Sequence, residues 1–171
     1  MKVAITGHTA GIGQAFATWF TDQGHEVVGL SRRTGRNIRS IPKCMGDIVD
    51  CDMFINNAQA GFAQTDLLYK VWHQWHSEPK LIWLIGSIIS TQHATDFEMQ
   101  EYQLQKQTLD RAYYNLKNTH SKCNLMLIRP GKVDTQNEGG ADVDIWANTV
   151  CEYWKIAQER NLSLQEISLG S

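Results

Sequence analysis

The amino-acid pattern predicts an α/β protein: a single compact domain in which a doubly wound parallel sheet forms the middle of three layers. Three observations carry this. The chain has 171 residues, the length of one domain. Short apolar runs alternate with amphipathic segments along its length, the order that places crossover helices between parallel strands. The first apolar run passes directly into a glycine-rich segment, TGHTAGIG, which opens an amphipathic stretch.

The elements follow in order. Lys2–Thr6 reads as a buried strand. Ile12, Ala15, Phe16, Trp19 and Phe20 recur at helical spacing, and Gly24 closes that helix. Glu26–Leu30 is the next strand, and Arg36–Ile38 reads as a short one after it. Ser40 is expected to cap a brief helix that tolerates Pro42 in its first turn. Asp52–Asn56 is a strand, and Thr65–Ser77 a helix with Leu68, Val71, Trp72 and Trp75 on one stripe. Leu81–Ile85 is a strand; Glu98–Asn118 is a long helix that turns Leu109, Ala112, Tyr113 and Leu116 inward. Asn124–Ile128 (strand), Asp144–Arg160 (helix) and Gln165–Leu169 (strand) complete the set. Strands that each lie beside a helix build a right-handed doubly wound sheet.

Composition narrows the function. Hydrophobic residues make up 42% and charged residues 20%, and the net charge is −2. That balance argues against a general nucleic-acid binder. Four scattered cysteines without a C-x-x-C pair argue against a zinc ribbon or a disulfide framework. The longest apolar stretch, around LIWLIGSII, is too short and interrupted to span a bilayer, and a strand at residue 2 leaves no room for a signal peptide. A cytoplasmic protein with no membrane partner is expected. His73 and His76 stand three apart without a third ligand nearby, so no metal site is expected. One local departure stands out: Arg32, Arg33, Arg36 and Arg39 cluster in an otherwise balanced chain. They form either a solvated loop or a site for one small anion.

The glycine segment favours the anion. Gly7, Gly11 and Gly13 fall at the turn from a strand into a helix. Glycine there allows positive φ and lets the backbone approach a pyrophosphate, while the helix N-terminus offers free N–H groups. The arrangement is Rossmann-like. NAD-binding folds end the second strand with an acid that holds the ribose 2′-hydroxyl. Here the sequence is LSRR, and the next acid is Asp47. Ser31 and Arg32, with Arg33 as a second candidate, can instead grip a 2′-phosphate, so NADP(H) is preferred over NAD(H).

These segments resemble the short-chain dehydrogenase/reductase family in its classical branch. TGHTAGIG at 6–13 is similar to its glycine signature, and Asn56-Asn57-Ala58 to its N-N-A-G, with Gln59 replacing the glycine. Ser87 in IGSIIS stands where the family has its active-site serine, Tyr102 and Lys106 match Y-x-x-x-K, and residues 130–135, PGKVDT, match P-G-x-V-x-T.

The resemblance implies a carbonyl–alcohol oxidoreductase acting on a small substrate. Ser87, Tyr102 and Lys106 would be catalytic, Tyr102 as general acid or base with its pKa lowered by the Lys106 ammonium. Gly7, Thr9, Gly11, Ile12, Gly13, Ser31, Arg32, Asn37, Asn57, Ala58, Pro130, Gly131, Val133 and Thr135 would bind the cofactor, together with Tyr102 and Lys106. Asn37 would stand near the adenine, and Val133 and Thr135 near the carboxamide. The aromatic strip Tyr69, Trp72 and Trp75 exceeds one buried stripe, so part of it is expected to face a partner. Related proteins pair through this helix and the Tyr–Lys helix, which implies a homodimer or homotetramer.

The departures are also specific. The chain is shorter than typical members, and the segment after Thr135 leaves no length for a substrate lid. The family's fourth catalytic residue, an asparagine, has no clear equivalent; Gln59 and Gln64 are the nearest polar side chains. These trimmed features keep open a non-catalytic NADP(H)-binding redox sensor or regulatory protein. A nucleotide-sugar epimerase fits less well, because its glycine spacing differs and these 171 residues leave too little chain for its C-terminal substrate domain.

Overall fold

Six parallel strands form the sheet of the computed structural model, in the order β2-β1-β3-β4-β5-β8. The strands are β1 (Lys2–Thr6), β2 (Glu26–Leu30), β3 (Met53–Asn56), β4 (Leu81–Ile85), β5 (Asn124–Pro130) and β8 (Glu166–Leu169). A two-residue pair, β6 (Val133–Asp134) and β7 (Ala141–Asp142), lies outside it. The helices are α1 (Gly11–Asp22), α2 (Ile41–Ile48), α3 (Ala63–Trp75), α4 (Phe97–Lys117) and α5 (Val143–Glu159). The structure describes residues 1–136 and 139–170. None of the described helices is long and apolar enough to cross a membrane.

Side-chain alternation along the strands makes two cores. Val3, Ile5, Met53, Ile55, Trp83 and Ile128 pack against α1 and α5. Ala4, Phe54, Ile82, Leu84 and Leu127 face α2, α3 and α4. Neighbouring strand residues point to opposite faces, so one buried strand feeds both layers. On the first face, the Trp83 ring sits 5.6 Å from Phe16, 5.8 Å from Phe20 and 5.5 Å from Trp154, in edge-to-face contacts.

One expectation is corrected. Arg36–Ile38 is not a strand. Only residues 31–35 separate it from β2, and a parallel crossover needs roughly a dozen or more. Arg36 turns instead to Asp47 on α2, and Ile38, 4% exposed, sinks beneath that helix. The sheet therefore ends at β2. Trp72 and Trp75 lie buried in the core, on the stripe expected for them, and Tyr69 is half-buried against the same core. Ser40 does occupy the N-cap of α2, but its hydroxyl makes no capping bond.

The topology locates a crevice. From β1 the chain runs to β2 on one side and then returns to β3 on the other. Such a switch point opens a cleft beyond the carboxyl ends of β1 and β3, where doubly wound sheets bind ligands.

Candidate active site

The crevice is built around Thr6, the last residue of β1. Its Oγ1 accepts the Asn57 and Ala58 N–H groups, each at 2.9 Å, and the Asn57 Nδ2 donates to the Thr6 carbonyl at 3.0 Å. Asn57 thus ties the ends of β1 and β3 together. A Cβ on Gly13 would lie 2.3 Å from the Gly7 carbonyl oxygen and 2.5 Å from Asn57 Nδ2, so no side chain fits there. Gly7 itself needs positive φ, at 73°. The side chain of Ile12 packs into the α1–α5 core, which leaves only its backbone at this corner. Helix α1 begins after Ala10 with no side-chain cap and no acid in its first turn. Its first N–H groups and its positive dipole end are therefore available to an anion.

A cleft of about 620 Å³ continues from this corner, lined by Gly7, Thr9, Ser31, Arg32, Asn37 and Ala58 among others. The structure thus brings together the residues expected on the adenosine side. Ser31 and Thr34 form a reciprocal cap: the Ser31 Oγ accepts the Thr34 N–H at 3.2 Å, and the Thr34 Oγ1 accepts the Ser31 N–H at 3.0 Å. This stiff single turn presents Arg32 and Arg33 to solvent at the cleft. Arg36 is paired with Asp47, but among the described residues no acid pairs with Arg32, Arg33 or Arg39. Asn37 Oδ1 accepts the Arg39 N–H at 3.0 Å and shapes the floor of the same loop.

The second group of residues converges beyond β4. Ser87 begins a single turn, residues 88–91, that α4 braces through Gln103 on the Ile89 carbonyl at 2.9 Å and Gln107 on the Ser90 carbonyl at 3.2 Å. Asp96 caps α4 through the Met99 N–H at 3.1 Å, and one turn later the helix presents Tyr102. Burial pushes the Tyr102 pKa above its ordinary value, and a hydrogen bond with Ser87 offsets part of that rise.

Lys106 differs from expectation. It is 3% exposed, and its Nζ donates to Gln64 Oε1 at 3.0 Å and to the Ile85 carbonyl at 2.9 Å. The Nζ stands 5.6 Å from the centre of the Tyr102 ring. The expected lowering of the Tyr102 pKa by this ammonium is not found, because burial dominates at both residues. Burial draws the Lys106 pKa down to about 8, against the opposing charge of Asp110 one turn on. Asp110 in turn accepts Ser90 Oγ at 2.7 Å and Arg129 Nε at 2.8 Å. Gln64 is therefore the polar side chain of α3 that reaches the lysine, whereas Gln59 pairs with Gln105. Asp110, Ser90 and Arg129 carried no motif signal. The alignment of Asp110 one turn beyond Lys106 was the only available hint.

The last segment divides. Pro130 ends β5, and the Gly131 N–H donates to Leu169 at 2.7 Å, where the chain passes against Gly170. Val133 packs on the α1–α5 core. Thr135 crosses to the glycine loop, its Cγ2 only 3.1 Å from where a Gly11 Cβ would stand. Beyond Thr135 lies a second cleft, also about 620 Å³, with Asp22, Asp134, Asp142 and Asp144 in its lining.

Comparison with solved structures gives the fold its context. An alcohol dehydrogenase from the archaeon Thermococcus sibiricus, complexed with 5-hydroxy-NADP, matches with a TM-score of 0.72 at 17% identity, over 99% of this chain and 96% of that one. A short-chain dehydrogenase from Burkholderia cenocepacia in complex with NADP matches at 0.77 and 15% identity, over 99% and 88%. A 3-alpha-hydroxysteroid dehydrogenase from Pseudomonas sp., complexed with NADH, matches at 0.72 and 15%, over 99% and 94%. No protein-family model and no curated protein sequence matches the chain. The chain has the fold of the short-chain dehydrogenases/reductases.

Proposed function

We propose that this chain is a short-chain dehydrogenase/reductase: an NADP(H)-dependent oxidoreductase that interconverts a carbonyl and an alcohol on a small substrate, with Tyr102 as general acid and base. The observation that carries this is the half-buried Tyr102 with Ser87 beside it and Lys106 one turn on, on the same side of the sheet ends as the glycine corner. The corner fits a dinucleotide: Gly13 admits no side chain, and the N-terminus of α1 is uncapped. Gly7, Gly11, Gly13 and Thr9 would hold the pyrophosphate, and Ser31 with Arg32 the 2′-phosphate. Asn37, Asn57 and Ala58 would lie along the adenosine, and Pro130, Gly131, Val133 and Thr135 at the nicotinamide end. When bound, the nicotinamide supplies or accepts the hydride.

The remaining chemistry belongs to the chain. Ser87 donates a hydrogen bond to the substrate oxygen and stabilises its developing charge. Tyr102, a phenol protonated at neutral pH and held so by burial, gives that oxygen its proton. In the alcohol-to-carbonyl direction the same phenol must first ionise, so oxidation gains with rising pH. Lys106 would hold the ribose hydroxyls of the cofactor.

The test has two arms. NADPH and NADH are titrated against the protein; tighter NADH binding overturns the Arg32 assignment. Aldehydes, ketones and quinones are then screened for NADPH oxidation, with Tyr102→Phe as the control. Turnover that survives the substitution removes Tyr102 from the mechanism.

One observation favours a second reading, a non-catalytic NADP(H)-binding sensor or regulatory protein: the Lys106 ammonium is engaged with Gln64 and Ile85. NADPH binding without turnover across the panel would select it. For assembly we propose a homodimer or homotetramer through α3 and α4, supported by the exposed Phe62 and Leu104 and the half-buried Tyr69. A monomer in sedimentation at micromolar concentration contradicts it. A cytoplasmic setting is part of the same proposal.

A further inference from the structure

We infer that Gln64 is the positioning residue of this site: its side-chain amide clips the ends of β3 and β4 together and fixes the Lys106 ammonium beneath Tyr102. The inference rests on the reading of Lys106 as a site residue. Gln64 lies in the first turn of α3 and is 3% exposed. Its Nε2 donates to the Asn56 carbonyl at 2.7 Å and to the Ile85 carbonyl at 3.0 Å. Its own backbone carbonyl accepts Asn56 Nδ2 at 2.9 Å. Both partners of Nε2 are pure acceptors, so the amide cannot flip, and Oε1 must face the lysine. Lys106 meets that oxygen at 3.0 Å and shares the Ile85 carbonyl at 2.9 Å. Two of its three N–H donors are thereby committed to the floor of the site.

The charged and titratable surroundings are few. Helix α4 brings Tyr102 and Asp110, and β5 brings Arg129, which is already bonded to Asp110. The contacts from α3 and β4 are neutral: the Gln64 amide and the Ile85 carbonyl. Gln64 is thus an acceptor that stabilises the ammonium without neutralising it. A carboxylate there would form an ion pair and hold Lys106 protonated to higher pH.

The test compares Gln64→Met, which keeps the volume but removes the acceptor, with Gln64→Glu, which makes the acceptor anionic. The titration of Lys106 Nζ is followed by ¹⁵N NMR, assigned with Lys106→Met, in parallel with NADPH affinity. The expected result is opposite displacement: the Lys106 midpoint falls in Gln64→Met and rises in Gln64→Glu, each by about one unit or more. A role in packing alone would shift both variants in one direction or neither, and either result overturns the inference. If Gln64→Met fails to fold, Gln64→Glu decides by the presence or absence of the rise. Because the readout needs no turnover, an inactive enzyme with opposite displacements would refute the oxidoreductase reading and leave this inference standing.

Discussion

The two ends of the groove are held by different physics. At the glycine end the contacts are neutral and mostly backbone: Thr6 and Asn57 join β1 to β3, and Gly13 lies where any Cβ would strike the Gly7 carbonyl. At the Tyr102 end the structure buries charge. Lys106, Asp110 and Arg129 all lie below a tenth exposed, linked through Gln64, Ser90 and the Ile85 carbonyl. Close backbone approach is indifferent to pH and salt, whereas a buried ammonium is sensitive to both pH and its neighbours. Binding and chemistry should therefore respond separately to mutation and to pH.

The largest expected effect tests that separation. Tyr102→Phe should lower turnover by about 10²- to 10⁴-fold, the usual range for a general acid, while NADPH affinity stays within a few-fold of wild type. Parallel loss of both would mean that the two ends are one coupled unit. Next, Arg32→Ala should weaken NADPH by roughly ten- to a hundredfold, since charge-assisted bonds contribute about 1.5–3 kcal/mol, and leave NADH unchanged. Calorimetric titration of both nucleotides measures it, and an equal loss for NADH would show that Arg32 holds the pyrophosphate.

Gly13→Ala sharpens the neutral side. Overpacking against the Gly7 carbonyl should cost about 1–3 kcal/mol, read as a lower urea midpoint that does not vary with pH. The smallest effect lies at the charged end. The Lys106 pKa is lowered in the folded state, from 10.5 to about 8, so the unfolded chain binds the extra proton between those values. Stability from this group is therefore penalised below about pH 8 and recovers as pH rises through that window. Lys106→Met lacks the term. Its stability relative to wild type should fall by about 1 kcal/mol between pH 7 and pH 9, measured by urea unfolding. A constant difference would mean that Lys106 is not strained by burial.

The second cleft completes the contrast. It matches the arginine-lined cleft in volume, at about 620 Å³, and also touches the glycine loop through Gly11. Its lining carries Asp22, Asp142 and Asp144, a poor setting for phosphate. Size therefore does not distinguish the two clefts; position at the switch point and sign of charge do.

The strands and the long helices were legible because their apolar periodicity is local, and their bounds match the structure within about two residues. The short strand at Arg36–Ile38 misled, since local pattern carries no information on the chain length a crossover needs. Trp72 and Trp75 fall on the buried stripe their spacing predicts, but local pattern does not say what covers Tyr69 beside them.

By itself, the sequence determined the α/β class, the glycine turn after β1, the basic turn after β2 and the order of Ser87, Tyr102 and Lys106. Each depends on residues near one another in the chain. Only the tertiary structure decided what surrounds them. It placed Gln64 against Lys106 across 42 positions, and Arg129 against Asp110 between β5 and α4. It also turned the lysine toward β4 and raised the pKa of the tyrosine that the lysine was expected to lower. Burial and long-range hydrogen bonds set protonation, and neither exists until distant segments meet.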